Sequence, residues 1–122
     1  MTSLFWIALG SALGGVARYG VGVWAVARFG EAFPWGTLIV NIAGSFVIGL
    51  AASPAWPLSN DARLFVTVGL CGGFTTFSAF SMHTITLMQA GQWGAVAVNV
   101  LGSVGLCLVA VWAGVAAGGA LR

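Results

Sequence analysis

Four long apolar runs, separated by short segments that carry most of the charged residues, dominate the pattern of this chain. They predict helices over about residues 4–27, 36–53, 64–89 and 93–121. A helix needs about 20 predominantly apolar residues to cross the hydrocarbon core of a bilayer. We therefore predict an all-α membrane protein with four transmembrane helices, built as a single transmembrane domain over residues 1–122.

The third run differs from the others because its centre reads GGFTTFSAF, from Gly72 to Phe80. Gly72 and Gly73 weaken a helix, and the threonine hydroxyls that follow compete with its backbone hydrogen bonds. Non-helical backbone at membrane depth persists only where it is buried in protein or lines a cavity. We therefore predict a third helix that is broken at its centre, with the carbonyls from Gly72 to Thr75 as a candidate cation site.

Polar residues recur every fourth position in the second and fourth runs, which places them on one helix face in each. The members are Thr37, Asn41 and Ser45 in the second run, and Asn99, Ser103 and Cys107 in the fourth. Spacing leaves two interpretations open. The stripes either hydrogen-bond between helices, at about 1 kcal/mol per bond, or line a polar pathway.

Two phenylalanines after the predicted break, Phe77 and Phe80, share a helix face. An aromatic ring has a negative face and a positive edge. Ring edges can therefore solvate a small anion without a formal charge. The alternative is ordinary packing, which is the commoner role of phenylalanine in membrane helices.

Composition and charge exclude several classes of protein. Of the 122 residues, 60% are hydrophobic and 5% charged, whereas soluble domains carry about 25% charged residues. The net charge of +2 provides no basic patch for nucleic acid. The two acids, Glu31 and Asp61, fall in predicted loops, and a single histidine gives no catalytic constellation. We predict that the chain is not an enzyme and does not bind nucleic acid.

The arginines show little bias between the two sides of the membrane. With the N-terminus inside, Arg63 and Arg122 lie inside and Arg28 lies outside, and so small a bias permits insertion in both orientations. Arg18 lies within the first predicted span. It either extends to the interface, anchors loop carbonyls, or gives a vestibule a positive potential that attracts anions.

Three motifs in order resemble the CrcB/Fluc family of fluoride channels: GGVARY at 14–19, GTLIVNIAGSFVIG at 36–49 and GLCGGFTTFSAFS at 69–81. The resemblance implies a passive fluoride-selective channel that exports fluoride across a bacterial-type plasma membrane and relieves its toxicity. It also implies an antiparallel, dual-topology homodimer in the lipid bilayer, with two pores.

The resemblance also implies roles for individual residues. Asn41, Phe77, Phe80 and Ser103 would line the fluoride pore, with Asn99 at the start of the fourth-span track. Backbone carbonyls of Gly72 and Thr75 would bind a structural sodium ion, which is not transported, on the dimer axis. The remaining candidates, at the vestibule or in structural positions, are Arg18, Thr37 and His83.

The sequence departs from the family pattern at three positions. Ala79 stands where the family often has threonine, Asn99 where tyrosine is common, and His83 where glutamate is common. From the last we hypothesise that protonation of His83 changes fluoride conduction between about pH 5 and pH 8. The alternative is that neutral His83 packs or forms an ordinary hydrogen bond.

Two other functions fit four spans of this length. A proton-coupled multidrug exporter needs a carboxylate inside the membrane, and both acids fall in predicted loops. A non-conducting scaffold subunit would explain glycine pairs such as Gly10 with Gly14, but it would leave the broken third helix and the polar stripes without a shared purpose.

Overall fold

The computed structural model describes residues 2–54 and 56–120, and within them the chain is helical throughout apart from short connections. The helices are α1 (Thr2–Phe29), α2 (Trp35–Ala52), α3 (Asn60–Leu64), α4 (Gly72–Phe74), α5 (Phe77–Gln89) and α6 (Trp93–Ala120), with a π-helical segment at Phe65–Cys71 between α3 and α4. The predicted end of the fourth span at residue 121 and the predicted side of Arg122 lie outside the described residues.

Four stretches of the described chain are long and apolar enough to cross a membrane: α1, α2, the bent series Asn60–Gln89 and α6. The prediction of an all-α protein with four candidate spans is therefore confirmed. The connections are short, and the turn between α5 and α6 uses Gly91 at φ +73°, a conformation that glycine adopts without steric cost.

Glycines bring the helices into backbone contact at two interfaces. A Cβ atom added to Gly10 of α1 would lie 2.6 Å from the Phe65 carbonyl oxygen, and one added to Gly73 would lie 2.5 Å from the Ser11 carbonyl oxygen. On the other side of the bundle, a Cβ atom on Gly114 of α6 would lie 2.8 Å from the Leu50 nitrogen of α2. Small residues at these positions therefore permit the close packing of helices in lipid.

The third span is interrupted at Thr75 and Thr76, whose backbones are extended (φ −89°, ψ 159° and φ −154°, ψ 118°). The predicted break is present, but it lies after the glycine pair. Gly72 and Gly73 are helical, because the space that Gly73 leaves is used for contact with α1 rather than for a turn.

Polar side chains fix the start of the third span against its neighbours. The Arg63 guanidinium donates to the carbonyls of Ala51 and Trp56, at and after the end of α2. Near the N-terminus, the Ser3 hydroxyl donates to Asp61 at 3.0 Å. The contact with Ala51 satisfies a carbonyl that the end of α2 leaves without a helical partner, and the contacts together tie the start of the third span to α1 and α2.

Candidate ion pathway

Asn41 of α2 holds the break open through both ends of its side-chain amide. Its Oδ1 accepts from the Thr76 N–H at 2.8 Å, and its Nδ2 donates to the Thr76 carbonyl at 3.2 Å. The Thr76 hydroxyl then caps α5 by accepting from the Ala79 N–H at 3.1 Å. The Asn41 oxygen thus replaces the carbonyl that the Thr76 N–H would reach in a continuous helix, while the Thr76 carbonyl also accepts the first hydrogen bond of α5.

The break changes the partners of three backbone carbonyls. In a continuous helix the Thr76 and Ala79 N–H groups would reach the carbonyls of Gly72 and Thr75, but they bond to Asn41 and to Thr76 Oγ1 instead. The third carbonyl, that of Gly73, accepts from Arg18 Nε at 3.2 Å. Of the three alternatives for Arg18, this contact supports an anchoring role.

A cleft of about 900 Å³ borders the break. We call it the charged cleft, because Arg18 of α1 and Glu31 of the following loop are among its lining residues. Thr37 and His83 also line it, and their side chains meet at 3.2 Å between Oγ1 and Nδ1. The three predicted vestibule residues, Arg18, Thr37 and His83, are therefore brought together in one cleft.

A second cleft, of about 440 Å³, is lined by residues from before and after the break. We call it the phenyl cleft, because Phe77 and Phe80 line it with ring centroids 5.4 Å apart and planes inclined at 44°. The Phe77 side chain is 78% exposed, so its ring is not a core packing residue within one chain. Asn41 and Ser103 also line this cleft, so four of the five predicted pore residues lie together.

The fourth-span stripe divides into two kinds of residue. Ser103 is 7% exposed, and its hydroxyl has no hydrogen-bond partner among the described residues. Asn99 lies one turn earlier and is 2% exposed, but it donates to Thr84 Oγ1 at 3.0 Å and lines neither cleft. The two interpretations of the stripe, interhelical hydrogen bonding and lining of a polar pathway, therefore apply to different residues. Asn99 forms a hydrogen bond between α6 and α5. The buried Ser103 hydroxyl lacks a partner, which suggests that its polar partner is not part of the described chain.

Two residues that the sequence analysis did not assign to the site are important in the structure. Thr76 lines both clefts, and Thr84 is the partner of Asn99. The paired threonines at 75 and 76 were a signal for Thr76, since they follow directly on the weak helical stretch. No signal in the sequence distinguishes Thr84 from its neighbours.

Metal-ligating side chains do not cluster in the part of the chain that the structure describes, where no three His, Cys, Asp or Glu side chains come together. The other candidate ligands for a cation are backbone oxygens. The carbonyls of Gly72 and Thr75 are suitable donors, since the break has removed their usual helical partners and unwound carbonyls coordinate sodium in other membrane proteins.

Comparison with known proteins places the chain in one family. Residues 5–115 match the model of the CrcB-like protein family, described as Camphor Resistance (CrcB). A relative from Opitutus terrae, named fluoride-specific ion channel FluC, is 48% identical over 119 residues, covering 93% of this chain and 90% of the relative.

Two further relatives carry the same name. The protein from Geobacter sulfurreducens is 50% identical over 122 residues, with 96% of this chain and 97% of the relative covered. That from Thermus thermophilus is 48% identical over 117 residues, with 94% and 92% covered. The predicted resemblance is confirmed: this chain belongs to the CrcB/FluC family.

Proposed function

We propose that this multi-pass membrane protein is a passive, fluoride-specific ion channel and not an enzyme. The observation that carries the proposal is the phenyl cleft, which is lined by the Phe77 and Phe80 ring pair and by Ser103, whose hydroxyl has no partner among the described residues. The names of the FluC relatives supply the identity of the ion. The cleft supplies groups that suit a small anion without holding it by a fixed charge.

Fluoride must lose much of its hydration to pass such a cleft, at a cost on the order of tens of kcal/mol by Born estimates. Three kinds of group offset this cost. The edges of Phe77 and Phe80 carry partial positive charge, the Ser103 hydroxyl can donate, and α5 begins at Phe77, so its N-terminal N–H groups favour an anion there. None carries a full charge, which keeps binding weak enough for the ion to leave.

Asn41 has two roles in this proposal. It holds the break by its contacts with Thr76, and its second amide hydrogen remains a donor for the ion because an amide NH₂ carries two. Arg18, Thr37 and His83 form the mouth on the charged side. Asn99 contributes packing next to the pathway rather than a contact with the ion.

The proposed assembly is an antiparallel homodimer with two pores and a structural sodium ion between the subunits. Two broken spans that meet on a twofold axis bring together two sets of Gly72 and Thr75 carbonyls, which can share one cation. The nearly balanced arginine bias supports insertion in both orientations. The dimer lies in a bacterial-type plasma membrane, where fluoride leaves down its gradient and its toxicity is relieved.

Fluoride efflux from liposomes that contain the purified protein tests this function. We expect fast, valinomycin-dependent release of fluoride measured with a fluoride electrode, while chloride stays inside. Valinomycin dependence would show that the ion crosses without a coupled counter-ion. Retention of fluoride by liposomes with verified folded protein, with sodium on both sides, would overturn the channel assignment.

A further inference from the structure

His83 and Thr37 form a hydrogen-bonded pair that faces the charged cleft from two different helices. Thr37 lies in the first turn of α2 and His83 in the middle of α5, and Oγ1 and Nδ1 are 3.2 Å apart. Both side chains are half-buried. His83 is the single histidine of the chain, and histidine is the residue whose charge changes near neutral pH.

Protonation changes what this pair offers to an anion, whichever ring nitrogen carries the proton in the neutral state. If Nε2 is protonated, the Thr37 hydroxyl donates to Nδ1 and has no hydrogen left. If Nδ1 is protonated, Nε2 presents a lone pair. An imidazolium donates from both nitrogens, so Nδ1–H bonds to Thr37 and both Nε2–H and the Thr37 hydroxyl become available.

The other charged groups around the cleft balance each other, so protonation of His83 changes the net charge of the cleft. Arg18 and Tyr19 line it from α1 and Glu31 from the loop before α2. The lining residues of α2 and α5 are otherwise uncharged, and Gln92 before α6 is neutral. Arg18 and Glu31 cancel in formal charge, so His83 sets the net charge of the cleft. Each added charge in a low-dielectric cleft changes the local anion concentration.

Thr37 is also one helical turn from Asn41, which is about 6 Å along the α2 axis. An anion held at Thr37 would thus lie directly before the break, with the phenyl cleft beyond it. The stripe from Thr37 through Asn41 to Ser45 connects the two clefts, because Thr37 lines the first and Ser45 the second.

We propose that Thr37 and His83 form an anion-binding subsite that is assembled when His83 is protonated and that feeds fluoride ions to the break. The subsite rests on the proposed channel function and adds to it a dependence on pH with a defined sign. Fluoride flux rises as the pH falls through the titration of His83, and it falls as the pH rises.

The first test is fluoride efflux from liposomes at steps from about pH 8 to about pH 6, with equal pH on both sides. Protein-free liposomes supply the leak of neutral HF at each step. Wild-type protein is expected to conduct several-fold faster at the acid end. His83→Gln keeps a hydrogen-bonding side chain but cannot titrate, so its flux is expected to stay at the alkaline wild-type level throughout.

Thr37 provides a matched pair of variants. Thr37→Ser keeps the hydroxyl and is expected to keep the wild-type profile. Thr37→Val has a similar volume but no hydroxyl, so only the charge of His83 acts, and a shallower rise is expected. Equal profiles for wild type and His83→Gln would overturn the subsite. No flux from wild type at any pH would instead overturn the channel function itself.

The second test does not depend on conduction. With the purification tag removed, the His83 ring gives a single set of ¹⁵N side-chain signals, whose midpoint of titration can be followed in detergent or nanodiscs. If fluoride binds the protonated form more tightly, linkage requires that fluoride moves the midpoint to higher pH. Gluconate at equal ionic strength is the control, and a midpoint that fluoride does not move would contradict the proposal.

Discussion

The charged cleft and the phenyl cleft both border the break in the third span, and they differ in chemistry. The charged cleft is the larger, at about 900 Å³ against about 440 Å³, and holds Arg18, Glu31 and His83. The phenyl cleft has hydroxyls, thiols and aromatic rings, but no charged side chain among its described lining residues. Thr76 belongs to both.

This difference indicates that the charged cleft attracts the anion and that the phenyl cleft conducts it. Full charges act over a distance of about a Debye length, near 10 Å in ordinary salt, so they serve an entrance well. Inside a narrow site they would bind an ion too strongly to release it. Partial charges on ring edges, hydroxyls and helix ends suit that part better. The following substitutions test this division of roles.

The largest effect is expected from Phe80→Ile in the phenyl cleft. The side chain stays apolar but loses the ring edge, so we expect fluoride flux to fall about 100-fold or more, equivalent to about 2.7 kcal/mol in the barrier. Phe5→Ile, at an exposed ring in α1 that lines neither cleft, is the matched control. Unchanged flux in well-assembled Phe80→Ile would remove the rings from the mechanism.

A smaller but broader effect is expected from Asn41→Ala at the wall between the clefts. The Thr76 N–H loses its partner, which costs about 1–3 kcal/mol for a group left unsatisfied, and the Thr76 carbonyl keeps only the first hydrogen bond of α5. We expect lower thermal stability in detergent together with flux reduced about tenfold or more. Asn60→Ala, at the exposed start of α3, should alter neither measurement, and stability equal to wild type in Asn41→Ala would contradict the holding role.

Arg18→Gln tests the entrance. Glutamine can still donate to the Gly73 carbonyl, but the positive charge is lost, so flux at low ionic strength should fall about threefold to tenfold. The deficit should shrink as gluconate is added, since salt screens the charge. Arg28→Gln removes an arginine that does not line either cleft. A deficit that is independent of salt would assign Arg18 a purely structural role.

The smallest effect is expected from Ser103→Ala. Because its hydroxyl has no partner in the described chain, its loss should leave thermal stability unchanged while flux falls about twofold to fivefold, the equivalent of one modest hydrogen bond. Thr84→Val should show the reverse, since Thr84 accepts from the buried Asn99 amide. Reduced stability in Ser103→Ala would indicate an interhelical bond instead of a contact with the ion.

The sequence predicted the helices well because membrane spans are determined by hydropathy and length, which are local properties. It also predicted that the third span breaks at its centre, ahead of Phe77, and the extended backbone at Thr75 and Thr76 agrees with this. Gly72 and Gly73 lower helix propensity, yet both are helical, and α1 packs against Gly73. The break falls instead at Thr76, where Asn41, distant in sequence, offers alternative hydrogen bonds.

The polar stripes show the same limit. Asn99 and Ser103 are one turn apart and indistinguishable by spacing, but one finds Thr84 and the other finds no partner among the described residues. Which neighbour a side chain meets is a tertiary property. The resemblance to a family supplied candidate roles that spacing alone left open. The structure shows that Phe77, Phe80 and Ser103 line one cleft, and their role in a pore stays a prediction.

The two hydrogen bonds between the Asn41 side chain and the Thr76 backbone also affect how the protein folds. Extended backbone at residues 75 and 76 would be costly in hydrocarbon until α2 has docked, because every unpaired peptide group there costs several kcal/mol. Docking of α2 and opening of the third span are therefore one event in assembly. A peptide of residues 60–89 alone in lipid should be helical through Thr76, as amide hydrogen exchange would report, whereas an unprotected Thr76 would mean that the break is already encoded locally.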